Sequence, residues 1–144
     1  MPTGTPKKYE EKYKEENRLQ MEVDKKEIKR FIAKRTLEPE WDSWENRELK
    51  IGAYRKACKA GDEEAKKEAG RYLNTAKIIC AVIGGYTCQA EEAKKVLKEL
   101  LKIMEEENLP ARWAIKRKAN RQRKEAGYKY NARTKTWYKP RKEE

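Results

Sequence analysis

Two stretches with helical hydrophobic periodicity limit the folds that this chain can adopt. Apolar and small side chains recur at spacings of three and four over residues 62–83, and the spacing returns over residues 87–107. Gly84-Gly85 is expected to end the first stretch, and Thr87 is expected to cap the second. Because only about three residues join them, the two helices are predicted to pack as an antiparallel pair.

The N-terminal third is predicted to be helical as well. The charged segment over residues 8–22 has a thin apolar face. Asp24 and Glu27 resemble a capping box that begins a helix reaching about Arg35. The sequence leaves open whether this helix continues the first one.

A further helix is predicted after Pro39, where Asp42 and Glu45 resemble another capping box. Gly61 has the residue type that ends a helix, and Asp62 directly after it is a good N-cap for the next. Apolar residues on one side of this helix are expected to cover the central pair, with help from the preceding helix. The expected covering residues are Trp44, Tyr54, Phe31 and Ile32.

The patterns together predict a mainly α protein, a small helical bundle with a basic C-terminal helix and a short C-terminal β-hairpin. The bundle is expected over residues 9–109, and the basic helix with an aromatic hairpin over residues 110–139. Residues 1–8 and 140–144 are expected to be tails. Although 43% of the residues are charged, both signs are interspersed, which favours helices with mixed-charge faces over disorder.

Charge is distributed unevenly along the chain. Residues 110–144 carry 13 Lys+Arg and 3 Asp+Glu, a net charge of +10 out of +12 for the whole protein. A near-neutral scaffold with a concentrated cationic end indicates a polyanionic partner, most simply RNA or DNA.

Several classes of protein are disfavoured by composition. The longest wholly apolar run, residues 78–83, is far shorter than the ~20 residues that span a bilayer, so no membrane partner is expected. The N-terminus lacks the apolar segment of a signal peptide, which predicts a cytoplasmic protein. Three unpaired cysteines, Cys58, Cys80 and Cys88, are expected to be reduced thiols in or near the core.

The sequence offers no catalytic constellation. It contains no histidine, which removes the commonest general base and most zinc sites, and it has no phosphate-binding glycine motif. We therefore expect no cofactor, no metal site and no enzymatic activity, with a metal-dependent nuclease as the weak alternative.

The helix after Pro110 carries seven positive charges within residues 112–124, and Glu125 is the acidic residue that offsets them locally. On a helical wheel the basic residues share a wide arc, and the opposite face holds one large apolar residue, Ile115. The alternative is a solvated face, or one paired with the chain's own acidic helices at residues 105–107 or 62–64. The residues predicted to hold phosphates are Arg112, Lys116, Arg117, Arg121, Arg123 and Lys124.

The segment after Gly127 is predicted to form a β-hairpin in which basic residues alternate with rings. Rings offer stacking platforms for unpaired bases, which slightly favours single-stranded nucleic acid. The alternative is that the rings form a small core, with Trp137 more buried than the tyrosines. The hairpin residues predicted to contact nucleic acid are Tyr128, Lys129, Tyr130, Arg133, Lys135 and Trp137.

This segment also shows a resemblance. The pattern Gly127-Tyr128-x-Tyr130-Asn131-x-x-x-Lys135-x-Trp137-Tyr138 resembles the Gly-aromatic…Lys-x-Trp-aromatic hairpin of some DnaQ-like exonucleases and of phage and plasmid DNA-processing proteins. It covers about a dozen residues, and Tyr130 stands where those hairpins have Trp. The resemblance implies a nucleic-acid context and no transferred activity, because the carboxylates of an exonuclease core are not identifiable.

The sequence thus predicts a non-enzymatic nucleic-acid-binding protein that contacts phosphates through a basic helix and bases through an aromatic hairpin. The alternative function is an interaction protein or inhibitor that docks on a nucleoprotein complex, such as a ribosome-associated factor or a phage-encoded anti-defence protein.

Overall fold

The computed structural model describes residues 7–83 and 89–140. These residues form five helices, α1 (Lys7–Ala33), α2 (Pro39–Ala60), α3 (Glu63–Ile83), α4 (Ala90–Glu107) and α5 (Ala111–Glu125). Two short strands, β1 (Lys129–Asn131) and β2 (Thr136–Tyr138), pair as an antiparallel hairpin. The predicted fold class, a helical bundle with a basic C-terminal helix and a short hairpin, is confirmed.

Some predictions concern residues outside the described ranges. Gly84-Gly85, Thr87 and Cys88 lie there, as do most of the two predicted tails. Gln89 occupies the N-cap position of α4, one residue before Ala90, so that helix begins later than predicted.

The hydrophobic core lies between α1, α3, α4 and α5. Each of these helices contributes buried apolar side chains, because each carries them at helical spacing on one face. Full burial of one large aliphatic side chain stabilises the fold by about 1.5–3 kcal/mol. The large side chains of this core therefore contribute much of the stability of the bundle. Its members are Ile28, Phe31, Leu37, Ile79, Ile83, Ala93, Leu97, Leu100, Ile103, Met104, Ala111 and Ala114.

Helix α1 is continuous, so the predicted capping box at Asp24 and Glu27 is wrong. Both residues lie inside the helix and are buried. The Asp24 carboxylate accepts hydrogen bonds from Thr75 of α3 and from the backbone of Ala111 at the start of α5. Asp24 thus resembles an N-cap of its own helix in the sequence, but its carboxylate caps the start of α5.

Helices α2 and α3 form a closely packed antiparallel pair. Gly61 adopts a left-handed conformation with φ of 70°, and Asp62 Oδ1 accepts hydrogen bonds from the N–H groups of Glu64 and Ala65, as predicted. The Tyr54 ring passes so close to Gly70 that an added Cβ there would lie 3.6 Å from it. The predicted pairing of α3 with α4 is a smaller contact, because α3 packs mainly on α2 and α1 while α4 packs mainly on α5 and α1.

The predicted apolar face of α2 is wrong at Trp44, which is exposed, and Asp42 does not begin the helix. Glu38 is the N-cap residue, and its N–H donates a 2.8 Å hydrogen bond to Asp42 Oδ2. The buried residues of α2 are Ser43 and Asn46. Since these are polar, α2 lies outside the hydrophobic core.

Ion pairs also attach α2 to α1. Asp42 lies 2.8 Å from Lys34 Nζ, and Lys50 Nζ lies 3.3 Å from the buried carboxylate of Glu27. Burial by itself would raise the pKa of Asp42, but hydrogen bonds from Lys34 and Glu38 and the charge of Lys34 lower it. These pairs link α2 to the end of α1, while the main packing of α2 is against α3.

The expectation that the thiols lie in or near the core is wrong for Cys58, which is exposed on α2, whereas Cys80 on α3 is half-buried. Within the described ranges no helix combines the length and apolar character needed to cross a membrane.

Candidate nucleic-acid interface

The start of α5 is fixed by a side chain from another helix. Pro110, whose residue type favours the first helical position N1, instead occupies the N-cap position of α5, and it has no N–H to donate. The N–H of Ala111 donates a 2.8 Å hydrogen bond to Asp24 Oδ2. Ala111 and Ala114 are fully buried, and Ile115 is half-buried beside them. A narrow, mostly small face thus holds α5 on the bundle and leaves the remaining circumference exposed.

The Asp24 carboxylate is the polar centre of this junction. Its Oδ1 accepts hydrogen bonds from Thr75 Oγ1 at 2.6 Å and from Gln20 Nε2 at 3.0 Å. Burial raises the pKa of Asp24 above its usual value of 3.8, although the hydrogen bonds from Thr75, Ala111 and Gln20 act in the opposite direction.

The raised pKa predicts an unusual pH dependence. Because the folded state binds the proton of Asp24 more tightly than the unfolded state, the stabilisation that comes from this proton is complete below the unfolded pKa and is lost as pH rises through the folded pKa. The free energy of unfolding of the wild type relative to Asp24→Asn is therefore expected to decrease as pH rises from about 4. Urea denaturation over a pH series checks this, and a difference that increases with pH would contradict it.

The six cations predicted to hold phosphates all lie on the exposed part of α5, but they differ in their partners. Glu107 at the end of α4 lies 3.7 Å from Arg117 and 3.2 Å from Arg121. In the described part of the chain no carboxylate lies within 4.0 Å of the other four cations, which are Arg112, Lys116, Arg123 and Lys124.

The alternative of internal pairing therefore applies to part of the helix. Besides the two arginines at Glu107, the Lys118 ammonium lies 3.2 Å from Glu99. Exposed pairs of this kind contribute about 0–1 kcal/mol, so they do not prevent a cation from contacting phosphate. The partners suggested by the sequence, residues 105–107 and 62–64, include Glu107 but not Glu99.

An exposed ring on α5 belongs to the same surface. Trp113 is 40% exposed, and its ring centroid lies 4.9 Å from Arg112 Cζ and 4.6 Å from Lys116 Nζ. No role for Trp113 was predicted from the sequence, although its position on the helical wheel falls among the cations. The sequence did contain a signal for a surface role, because an indole between cations, on a helix with little apolar surface, is not expected to be part of a core.

Gly127 connects α5 to the hairpin, as predicted. It has φ of 91°, its N–H donates to the Lys124 carbonyl at 3.0 Å, and the N–H of Tyr128 donates to the Arg123 carbonyl at 2.9 Å. This pair of hydrogen bonds is a Schellman motif, which satisfies carbonyls at the helix end. It also sets the direction in which the hairpin leaves the helix.

One face of the hairpin is aromatic. Tyr130 pairs with Trp137 across the strands, with ring centroids 5.3 Å apart, and Tyr128 falls on the same face because it precedes Tyr130 by two residues. The Arg123 guanidinium lies 5.6 Å from the Trp137 ring centroid, and Lys139 Nζ lies 6.0 Å from that of Tyr128. The aromatic face, which we define as Tyr128, Tyr130 and Trp137, is thus flanked by two cations.

Burial of these rings matches the predicted order. Trp137 is half-buried, whereas Tyr128 is 39% and Tyr130 50% exposed. Trp137 packs on Tyr130 and under Arg123, so a small core does form, but within the hairpin and the end of α5.

The remaining predicted residues lie away from the aromatic face. Lys129 is opposite Tyr138 in the pairing register and therefore points to the other side of the hairpin. Asn131 Oδ1 accepts hydrogen bonds from the N–H groups of Arg133 and Thr134, which closes the turn. Arg133 and Lys135 are exposed at this tip, and Lys135 has φ of 57°.

No group of three or more potential metal ligands occurs among the residues that the structure describes. Comparisons with protein-family models, curated proteins and solved structures found no match. The resemblance of residues 127–138 to hairpins of DNA-processing proteins therefore stays a prediction.

Proposed function

We propose that this chain is a non-enzymatic, cytoplasmic nucleic-acid-binding protein. Helix α5 holds phosphates, and the aromatic face of the hairpin stacks on exposed bases. One observation carries the proposal: the Arg123 guanidinium lies over the Trp137 ring, where the cations of α5 meet the aromatic face. A single surface thereby offers a binding partner for both groups of an unpaired strand, because cations bind its phosphates and aromatic rings stack on its bases.

The charge of α5 supports an external anion. Like charges three or four residues apart on a helix cost about 0.2–0.5 kcal/mol per pair, and α5 contains several such pairs, including Arg112/Lys116. Glu107 and Glu99 offset part of this repulsion. Arg112, Lys116, Arg123 and Lys124 keep their charges uncompensated in the described structure, and phosphates of a bound strand would compensate them.

The exposed rings support single-stranded ligands over duplexes. In a duplex the faces of the bases are covered by their neighbours, whereas in single strands and loops they are accessible to aromatic side chains. Tyr128 and Trp113 present accessible rings beside cations, and Tyr130 is exposed on the same aromatic face as Tyr128. The preferred ligand is therefore single-stranded RNA or DNA.

Replacing Tyr128 and Tyr130 together by leucine is expected to weaken binding of a labelled single-stranded oligonucleotide by at least about tenfold, because each stacked base contributes ~1–3 kcal/mol. Leucine keeps an apolar contact for Trp137 and removes the π-face. Fluorescence anisotropy titration measures the affinity.

Tyr138→Leu is the matched control, since Tyr138 is similarly exposed on the opposite side of the hairpin. Its affinity is expected to stay near that of the wild type. Equal affinities for the double variant and the wild type would contradict base stacking, as would an equal loss in the control.

A further inference from the structure

A second exposed aromatic group lies on α2, outside the basic interface. Trp41 is 56% and Trp44 is 44% exposed, and their ring centroids lie 5.4 Å apart with an angle of 34° between the planes. Large apolar side chains that remain exposed as a group indicate an interaction site more often than isolated ones do. Packing in the core therefore does not account for these two indoles.

The packing of α2 directs this pair outward. The buried residues of α2 are Ser43 and Asn46, and at ~100° per residue Trp41 lies roughly opposite Ser43 on the helix. α2 packs mainly on α3, and the side chains of Asp42 and Lys50, which pair with Lys34 and Glu27, lie on the same side of the helix as Ser43 and Asn46. The indoles therefore lie on the side of α2 that faces away from these contacts.

The surroundings of the two indoles are acidic, although the chain as a whole has a net charge of +12. Glu38, Glu40 and Glu45 are exposed beside them, and no Lys or Arg of the described residues lies within 4.0 Å of these three carboxylates. The other acidic groups of this part of α2 are compensated, since Asp42 pairs with Lys34 and Glu48 with Arg47. The surface therefore combines exposed π-faces with three carboxylates that form no ion pair in the described structure, and Arg30 and Lys34 line a cavity next to Glu45.

We propose that this acidic tryptophan surface, formed by Trp41, Trp44, Glu38, Glu40 and Glu45, docks an arginine-rich segment of a partner protein. A guanidinium group stacks on an indole face and at the same time donates paired hydrogen bonds to a carboxylate. Arginine fits better than lysine, because the planar guanidinium sheds its hydration more easily and stacks on rings.

The charge of this surface also excludes nucleic acid as its ligand. Phosphates are repelled by Glu38, Glu40 and Glu45, so a nucleic acid does not fit this surface. The acidic tryptophan surface on α2 is formed by other residues than the interface on α5 and the hairpin. The inference is therefore independent of the proposed function, and both surfaces can be occupied together.

A fluorescein-labelled nona-arginine peptide tests the proposal. Anisotropy titration with nucleic-acid-free protein is expected to show saturable binding, and Trp41→Ala with Trp44→Ala is expected to weaken it by at least about tenfold. Glu38→Gln, Glu40→Gln and Glu45→Gln together are expected to weaken it similarly, and a nona-lysine peptide is expected to bind less tightly. Because the protein is cationic overall, general electrostatic attraction does not produce this result.

Matched controls separate this surface from the other one. Trp113→Ala removes an exposed indole from α5 and is expected to leave peptide affinity unchanged, while the Trp41/Trp44 double variant is expected to keep its oligonucleotide affinity and helical circular dichroism. Absence of peptide binding by the wild type, or equal binding by the double variant, would overturn the proposal. Self-association of the wild type that is lost in the double variant, seen by sedimentation, would replace the partner by a second copy and overturn it too.

Discussion

Replacing Arg112, Lys116, Arg123 and Lys124 by glutamine is expected to weaken binding of a single-stranded oligonucleotide by about 10²–10³-fold at ~0.1 M salt. Each phosphate contact on a single strand contributes about 0.7 logarithmic units of affinity at this salt concentration through release of counterions, so four contacts contribute almost three. None of the four has a carboxylate within 4.0 Å in the described ranges, so the substitutions break no ion pair there. Fluorescence anisotropy gives the affinity, and circular dichroism checks the fold.

A charge-matched variant is the control for this result. Lys29, Arg55, Lys59 and Lys67 are exposed on α1, α2 and α3 and have no ion pair in the described structure. Glutamine at these four positions lowers the net charge by the same amount away from α5. We expect a loss of less than about threefold, because these residues contact no phosphate. A loss as large as that of the α5 variant would show that total charge, rather than this helix, determines binding.

Replacing Asp24 by alanine is expected to lower the free energy of unfolding by about 2–4 kcal/mol. The substitution leaves the buried N–H of Ala111 without its acceptor and removes the Asp24 bonds of Thr75 and Gln20, both of which keep the Arg71 carbonyl as an acceptor. The α1–α3–α5 junction loses its shared hydrogen-bond acceptor. Urea denaturation followed by circular dichroism measures the change.

Asp62→Ala provides the comparison, because Asp62 is also an aspartate cap but acts at an exposed helix end within its own segment. Its loss is expected to cost about 1 kcal/mol, which is typical of an exposed N-cap. If Asp24→Ala cost no more than Asp62→Ala, the assignment of Asp24 as a buried tertiary cap would be wrong.

The features predicted correctly from the sequence are those that depend on neighbouring residues. Gly61 with Asp62 and Gly127 act through hydrogen bonds within five residues, so their residue types suffice to place helix ends. The hairpin follows from the same kind of local chemistry, with Asn131 closing its turn.

Apart from the start of α2, where Glu38 rather than Asp42 is the N-cap residue, the features that were missed depend on contacts between distant segments. Asp24 has the sequence context of a local N-cap, but its partner Ala111 is 87 residues away and nothing near Asp24 indicates it. Trp44 was expected to cover the core because it shares one side of the helix with other apolar residues, whereas the buried side of α2 carries Ser43 and Asn46. The side of α2 that faces the bundle carries small, polar and ion-pairing residues. A search for apolar periodicity does not identify such a side.

The candidate site was predicted in composition but not in arrangement. Charge counting identified α5, and alternation identified the aromatic face, yet neither indicated that Glu99 pairs with Lys118 or which of the cations Glu107 contacts. The position of Arg123 over Trp137 follows from the Gly127 turn, which requires the geometry of both elements.

The salt dependence of binding tests the central claim most directly. Affinity of the wild type for a single-stranded oligonucleotide, measured from about 0.05 to 0.3 M salt, is expected to fall with a slope near −4 in a plot of log K against log salt if six cations contact phosphates. In the variant lacking Arg112, Lys116, Arg123 and Lys124 the slope is expected to become shallower by about three. Identical slopes for the two proteins, or a wild type that does not bind at the lowest salt, would contradict the claim that α5 binds nucleic acid.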